Sequence, residues 1–124
     1  YVDWPYIQHP TPYPRTPMTK DFRDQGLIMN ERLEEYDGTT AVVRTEHLPA
    51  EEVEFMRWKA ERWMKIHHIP VAIKHDPGWV LFQGWKMLLH TFRGSSIRSV
   101  LGLESDKKVF ERYRAIRRAE REYV

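Results

Sequence analysis

Histidines and acids carry the widest chemical range among the side chains of this chain. His67-His68 and His75 form its closest histidine group. Zinc sites take imidazoles from spacings that bring two of them to one side of a turn or helix. An adjacent pair, a Pro at position 70 and a third His at 75 match no standard zinc spacing, so surface or partly buried histidines are the plainer reading. Glu51, Glu52 and Glu54 are close enough together for general acid–base work. They also fall in the first turn of an expected helix, where acids complement the helix dipole without any catalytic role. Lys107, Lys108, Arg112, Arg114, Arg117, Arg118 and Arg121 crowd the C-terminal stretch, offset by Asp106, Glu111, Glu120 and Glu122. That pattern reads as a solvated helix with internal ion pairs, or as a helix that docks on an anionic surface or RNA. The interleaved aromatics and Gly-rich loops that accompany RNA binding are missing. No Ser/His/Asp arrangement and no phosphate-cradling Gly-rich loop is identifiable. With no cysteine in the sequence, these residues hold no disulfide, thiolate metal site or thiol nucleophile. This fits a reducing compartment, and a cytoplasmic location is the expectation.

The elements that must position these groups are mostly helices. Five of the eight prolines lie in residues 1–17, where fixed φ and missing N–H groups exclude helix and central strand. Val2 to Gln8 reads as a short extended segment, followed by an irregular loop. Thr16 and Pro17 have N-cap and N1 chemistry for a first helix through Phe22 that stops at Gly26. Glu35-Tyr36-Asp37-Gly38 is a turn signal, and Thr40 to Thr45 has strand composition. Pro49 opens a helix in which Val53, Met56, Ala60, Trp63 and Met64 share a face, with Pro70 ending it. Asp76-Pro77 opens another, running to about Phe92 with Gly94 beyond. Ser95 or Ser96 caps a short helix ending at Gly102. Ser105 or Asp106 caps the last, which turns Val109, Phe110, Tyr113 and Ile116 inward.

With 124 residues, 41% of them hydrophobic and 13% aromatic, the chain suits one globular domain rather than a disordered tail. Its net charge of +2, from 20 basic and 18 acidic residues, argues against nucleic acid as a main partner. No apolar run reaches the ~18 residues of a membrane span. The most apolar stretch, Trp79 to Leu89, is broken by Gln83, Gly84 and Lys86. It can at most lie on a membrane surface, and a buried core helix is the plainer reading. Trp58, Trp63, Trp79 and Trp85 likewise read as core rather than a cofactor cage. Tyr1-Val2-Asp3-Trp4-Pro5 lacks signal-peptide chemistry. The start without Met, on an aromatic and proline-rich segment, suggests a piece of a longer protein.

One stretch reaches further. Thr11-Pro12-Tyr13-Pro14-Arg15-Thr16-Pro17-Met18 resembles the Thr-Pro-Tyr-Pro-Gly-Thr-Pro segment near the end of the barrel in radical S-adenosylmethionine proteins. The resemblance is strongest to the group with an N-terminal cobalamin-binding domain, the magnesium-protoporphyrin monomethyl ester cyclase-like proteins. In that group a helix, a Gly and a Tyr-Asp-Gly stretch follow, here Asp21 to Gly26 and Tyr36-Asp37-Gly38. A strand-like piece and an acidic helix start come next, here Val42-Val43-Arg44 and Leu48-Pro49-Ala50-Glu51-Glu52. Order and spacing match over about residues 7–65, and the match weakens beyond residue 70. Arg15 departs from the family's usual Gly.

The resemblance implies a mainly α chain: a helical C-terminal extension with a short extended N-terminal segment left from a truncated (β/α) barrel. Residues 1–26 would be the end of the barrel, 27–48 a linker with a short strand, and 49–124 the helical C-terminal domain. It implies a parent enzyme with a 4Fe-4S cluster and S-adenosylmethionine, and cobalamin in the named group, acting as an oxidoreductase or methyltransferase. The cluster's three cysteines are absent here, so the fragment carries no cofactor of its own and is expected to be inactive alone. Its partners would be the N-terminal part of its own chain and a small-molecule substrate. By position, Tyr6, Gln8, His9, Thr11 and Tyr13 are the residues nearest the cleft. The alternative is a non-catalytic helical module that docks through the basic last helix.

Overall fold

A computed structural model describes residues 6–122. It is mainly helical, and it divides into two compact units, Tyr1–Trp58 and Lys59–Val124, the division falling inside a long helix.

In the first unit, helix α1 (Pro17–Asp24) starts as its sequence dictates. The Thr16 hydroxyl accepts from the Thr19 N–H at 3.3 Å, and Pro17 takes the first position, where its missing N–H costs nothing. Gly26, at φ +64°, follows the helix end. The chain then runs past an isolated antiparallel bridge between Ile28 and Val43. Met29 N donates to Val42 O at 2.9 Å and Arg44 N to Leu27 O at 2.9 Å. These few bonds give the strand-like residues Thr40 to Thr45 their partner. Ala41, Val42 and Val43 are buried and form the apolar centre of this unit with Trp58. A 3-10 turn, Leu33–Glu35, lies between the paired segments. The expected extended segment Val2 to Gln8 falls mostly outside the described residues, and residues 6–13 form no strand.

Helix α2 (Ala50–His75) differs from expectation in two ways. Its buried residues within the first unit are Glu54, Arg57 and Trp58, while Met56 is 56% exposed, so the apolar set expected to face inward does not. The reason lies in what the helix covers. The segments beside it have almost no β ladder, so their backbone N–H and C=O groups need partners, and polar side chains supply them. The helix also continues through Pro70, although an interior Pro removes one backbone bond and costs ~3 kcal/mol. Ile66, whose carbonyl loses that bond, lies on an exposed part of the helix, where water can replace it.

In the second unit, Asp76 caps the next helical stretch, its carboxylate accepting from Trp79 N at 2.9 Å. That stretch consists of α3 (Pro77–Trp79), a π turn (Val80–Gly84) and α4 (Trp85–Thr91). Gly84 is buried under Trp79: a Cβ there would stand 3.2 Å from the indole ring. Val80, Met87 and Leu88 line a shallow apolar pocket with Ile69 and Ala72 of α2. The stretch is not a buried core helix, however, because Leu81, Phe82 and Leu89 are 74%, 79% and 65% exposed. Trp63, Trp79 and Trp85 are exposed as well, so of the four tryptophans expected as core only Trp58 is buried.

Gly94, at φ +80°, brings the chain against α6 (Asp106–Glu122) so closely that a Cβ would lie 2.8 Å from Tyr113 N. Ser96 and Ser99 form a reciprocal capping box on α5 (Ile97–Val100). Val109 and Phe110 of α6 are buried, with Tyr113 and Ile116 half-buried beside them, as the spacing predicts.

Candidate functional site

The proline run builds its own scaffold. Tyr13 N donates to Thr11 O at 2.9 Å, closing a three-residue turn around the buried Pro12. Thr16 N then donates to Tyr13 O at 3.2 Å. With Pro14 second and Arg15 third at φ +68°, these four residues have the marks of a type II turn. The Tyr13 carbonyl also accepts from the Thr16 hydroxyl at 2.9 Å and from the buried Thr19 hydroxyl at 2.5 Å. One carbonyl therefore ties the loop to the start of α1.

The loop is tied in turn to a segment more than twenty residues away. His9 N donates to Gly38 O at 2.9 Å, and the Tyr13 hydroxyl donates to Tyr36 O at 3.2 Å. The Tyr13 and Tyr36 rings meet edge to face at 6.4 Å. The Gln8 side chain lies over Gly38, whose φ of +71° suits glycine. Asp37 Oδ1 accepts from Thr39 N and Thr40 N, both at 2.9 Å, which fixes the turn that presents Gly38. Helix α2 closes the assembly. Arg57 Nε donates to Ile7 O at 2.5 Å, and Ala41 N donates to Glu54 Oε2 at 3.3 Å.

His9 sits inside this joint. It is buried, and its Nε2 has no hydrogen-bond partner among the described residues. Its pKa is pushed down from 6.5 to about 4, first by burial and then by the Arg57 charge, with Asp37 opposing. The imidazole is therefore neutral at neutral pH and too weak a base to act as a proton acceptor poised near 7.

The residues that the resemblance would place nearest a cleft thus divide. His9 is buried and Thr11 half-buried, its hydroxyl donating to His9 O at 3.1 Å. Tyr6, Gln8 and Tyr13 are exposed and offer aromatic and amide surface. Asp37, Glu54, Arg57 and Thr19 were missed as members of the site. Asp37 alone had a usable signal, its place in the turn before Gly38. Glu51 and Glu52 precede Glu54 in the first turn of α2, and of the three only Glu54 is buried.

The other candidate groups lie further along the sequence, in the second unit. His67 stacks on Trp63 at 4.0 Å and bonds the Trp63 carbonyl at 2.8 Å, while His68 faces the apolar pocket. Arg112 pairs with Glu104 at 2.6 Å, Lys59 with Asp106 at 3.6 Å, and Arg93 with Glu120. No group of three or more His, Cys, Asp or Glu suited to a metal ion occurs among the described residues. No helix there is long and apolar enough to cross a membrane. Comparison with protein-family models, curated proteins and solved structures found no match.

Proposed function

We propose that this chain is the C-terminal part of an iron–sulfur, S-adenosylmethionine-dependent radical enzyme. In this reading, residues before Gly26 end the catalytic barrel, and the helices beyond cover it and help shape the substrate cleft. The parent acts in the cytoplasm on a small molecule, with the N-terminal part of the same chain as its immediate partner. The reading starts from the resemblance, and one observation supports it. The two motifs that carry the resemblance, Thr-Pro-Tyr-Pro and Tyr-Asp-Gly, are hydrogen-bonded to each other through His9 to Gly38 and Tyr13 to Tyr36. Motifs that must be kept together for one job are expected to touch. Arg15 fits the same picture, since it stands where the family has Gly and adopts the left-handed backbone that Gly adopts most easily.

The 124 residues contain no cysteine, so they do not fit the cluster and cannot supply its thiolates. What the chain contributes is shape. A stiff proline loop sets where the backbone leaves the barrel, and the exposed Tyr6, Gln8 and Tyr13 sit on that loop. A radical intermediate must be kept from water, and a helical cover serves that end.

The test is to express the full-length protein that carries this chain without oxygen and reconstitute it with iron and sulfide. Cluster absorbance in the visible and cleavage of S-adenosylmethionine to 5′-deoxyadenosine are expected. Absence of both would overturn the proposal.

A further inference from the structure

The helical stretch from Pro77 to Thr91 has apolar residues on more than its inner side. Val80, Met87 and Leu88 line the pocket against α2, yet Leu81, Phe82, Trp85 and Leu89 are exposed. A helix that is apolar beyond its packed face belongs in a larger core or at a lipid surface. The π turn matters here. Bonding from i to i+5 widens the turn, so Leu81 and Trp85, four apart, fall closer to one line than they would in an α-helix. Leu89 continues that spacing.

Charge selects between occupants. From Pro77 to Leu103 the sequence has no acidic residue and three cations, Lys86, Arg93 and Arg98, in a chain whose net charge is only +2. Arg93 is paired with Glu120, whereas Lys86 and Arg98 have no ion-pair partner among the described residues. The Lys86 ammonium lies 5.9 Å from the centre of the Trp85 ring, next to the exposed apolar row. Burial first, and then the charges of Arg93, Lys65 and Arg117, hold the pKa of His90 on the same stretch down. Exposed Leu, Phe and Trp flanked by unpaired cations and free of acids match an anionic lipid surface. A second copy of the chain would bring no acidic residue from its own Pro77 to Leu103 stretch to meet Lys86.

We propose that the stretch from Trp79 to Leu89 docks on the surface of a lipid bilayer that carries anionic headgroups. Leu81, Phe82, Trp85 and Leu89 enter the headgroup boundary, and Lys86 and Arg98 meet the lipid phosphates. A second exposed apolar cluster, Ile97, Val100, Leu101 and Leu103, lies in the same acid-free stretch of sequence. This inference does not depend on the enzyme reading.

Co-sedimentation of the chain with vesicles tests it, using phosphatidylcholine alone and phosphatidylcholine with about one-third phosphatidylglycerol. Binding to the mixed vesicles is expected, with little to phosphatidylcholine alone. Leu81→Ser combined with Phe82→Ser should weaken that binding about tenfold or more. Both side chains are exposed, so circular dichroism of the variant should match the parent. Lys86→Glu provides a second variant that leaves the apolar row intact, and it should weaken binding about fivefold or more. The proposal is overturned if the mixed vesicles do not bind the chain, or if neither variant changes binding. It is also overturned if the chain is a dimer by analytical ultracentrifugation and Phe82→Ser makes it a monomer, since a second copy is then the occupant.

Discussion

In Tyr1–Trp58 the polar side chains His9, Thr19, Glu35, Thr40, Glu54 and Arg57 are buried alongside Ala41, Val42, Val43 and Trp58; in Lys59–Val124 the buried side chains are Thr91, Val109 and Phe110 among the described residues, while large apolar residues such as Phe82, Ile97 and Leu103 stand exposed. The contrast follows from how each unit satisfies its backbone. Between its helices the first holds loops and one short bridge, so peptide groups such as Ile7 C=O and Ala41 N–H take side-chain partners, and Arg57 and Glu54 are buried to provide them. Helices satisfy their own interiors, so the second unit makes less of this demand, met for example where Arg112 Nε donates to Gly94 O at 2.9 Å. Its surplus apolar surface is free to face outward.

The sharpest way to break this contrast is at Gly94. Gly94→Ala adds a Cβ within 2.8 Å of the Tyr113 backbone at a left-handed φ. It should cost about 3 kcal/mol or more, read from urea unfolding. A cost under about 1 kcal/mol would mean that the second unit is not closed as described.

Next in size is a pair of substitutions one residue apart on α2. Arg57→Ala should destabilise by about 2 kcal/mol, because it removes a charge-assisted hydrogen bond and strands the Ile7 carbonyl. Met56→Ala should stay within about 0.5 kcal/mol, as expected of an exposed site. The reverse ranking would restore the apolar face expected from the sequence.

A smaller effect of opposite sign is expected at Arg15. Arg15→Gly relieves a left-handed φ at a non-glycine residue but adds chain entropy to the unfolded state. A net gain of about 0.5 kcal/mol in thermal or urea unfolding is predicted, and a loss would argue against the turn assigned to Tyr13 to Thr16. Phe82→Ser should be the smallest, within about 0.5 kcal/mol, since its side chain packs little within the chain.

Much of the local structure was legible in the sequence because it is decided locally. Thr16 with Pro17, Asp76 with Pro77, and Ser96 act as caps through atoms within three residues. Gly26 and Gly94 take the positive φ their positions suggested. The facing of α2 was not legible, because apolar periodicity assumes an apolar neighbour and this helix covers unpaired backbone. Pro70 misled for a related reason: a helix end is decided by what the next turn packs on as well as by the residue. The candidate site was half legible. Its proline loop and its Tyr36-Asp37-Gly38 turn could be read from their residue types, but Arg57 and Glu54 entered through a demand that becomes visible only once the chain is folded.

The central claim is that the proline loop and the Tyr36-Asp37-Gly38 turn close into one joint with a buried, neutral His9 inside. The most direct test is the pH titration of the His9 ring by NMR, assigned with His9→Gln. The account predicts a midpoint depressed from 6.5 to about 4. Between those values the unfolded chain binds a proton that the folded chain does not, so the folded state loses stability as pH falls through that window. A midpoint at 6 to 7, the range of exposed histidine, would contradict the account and open the joint.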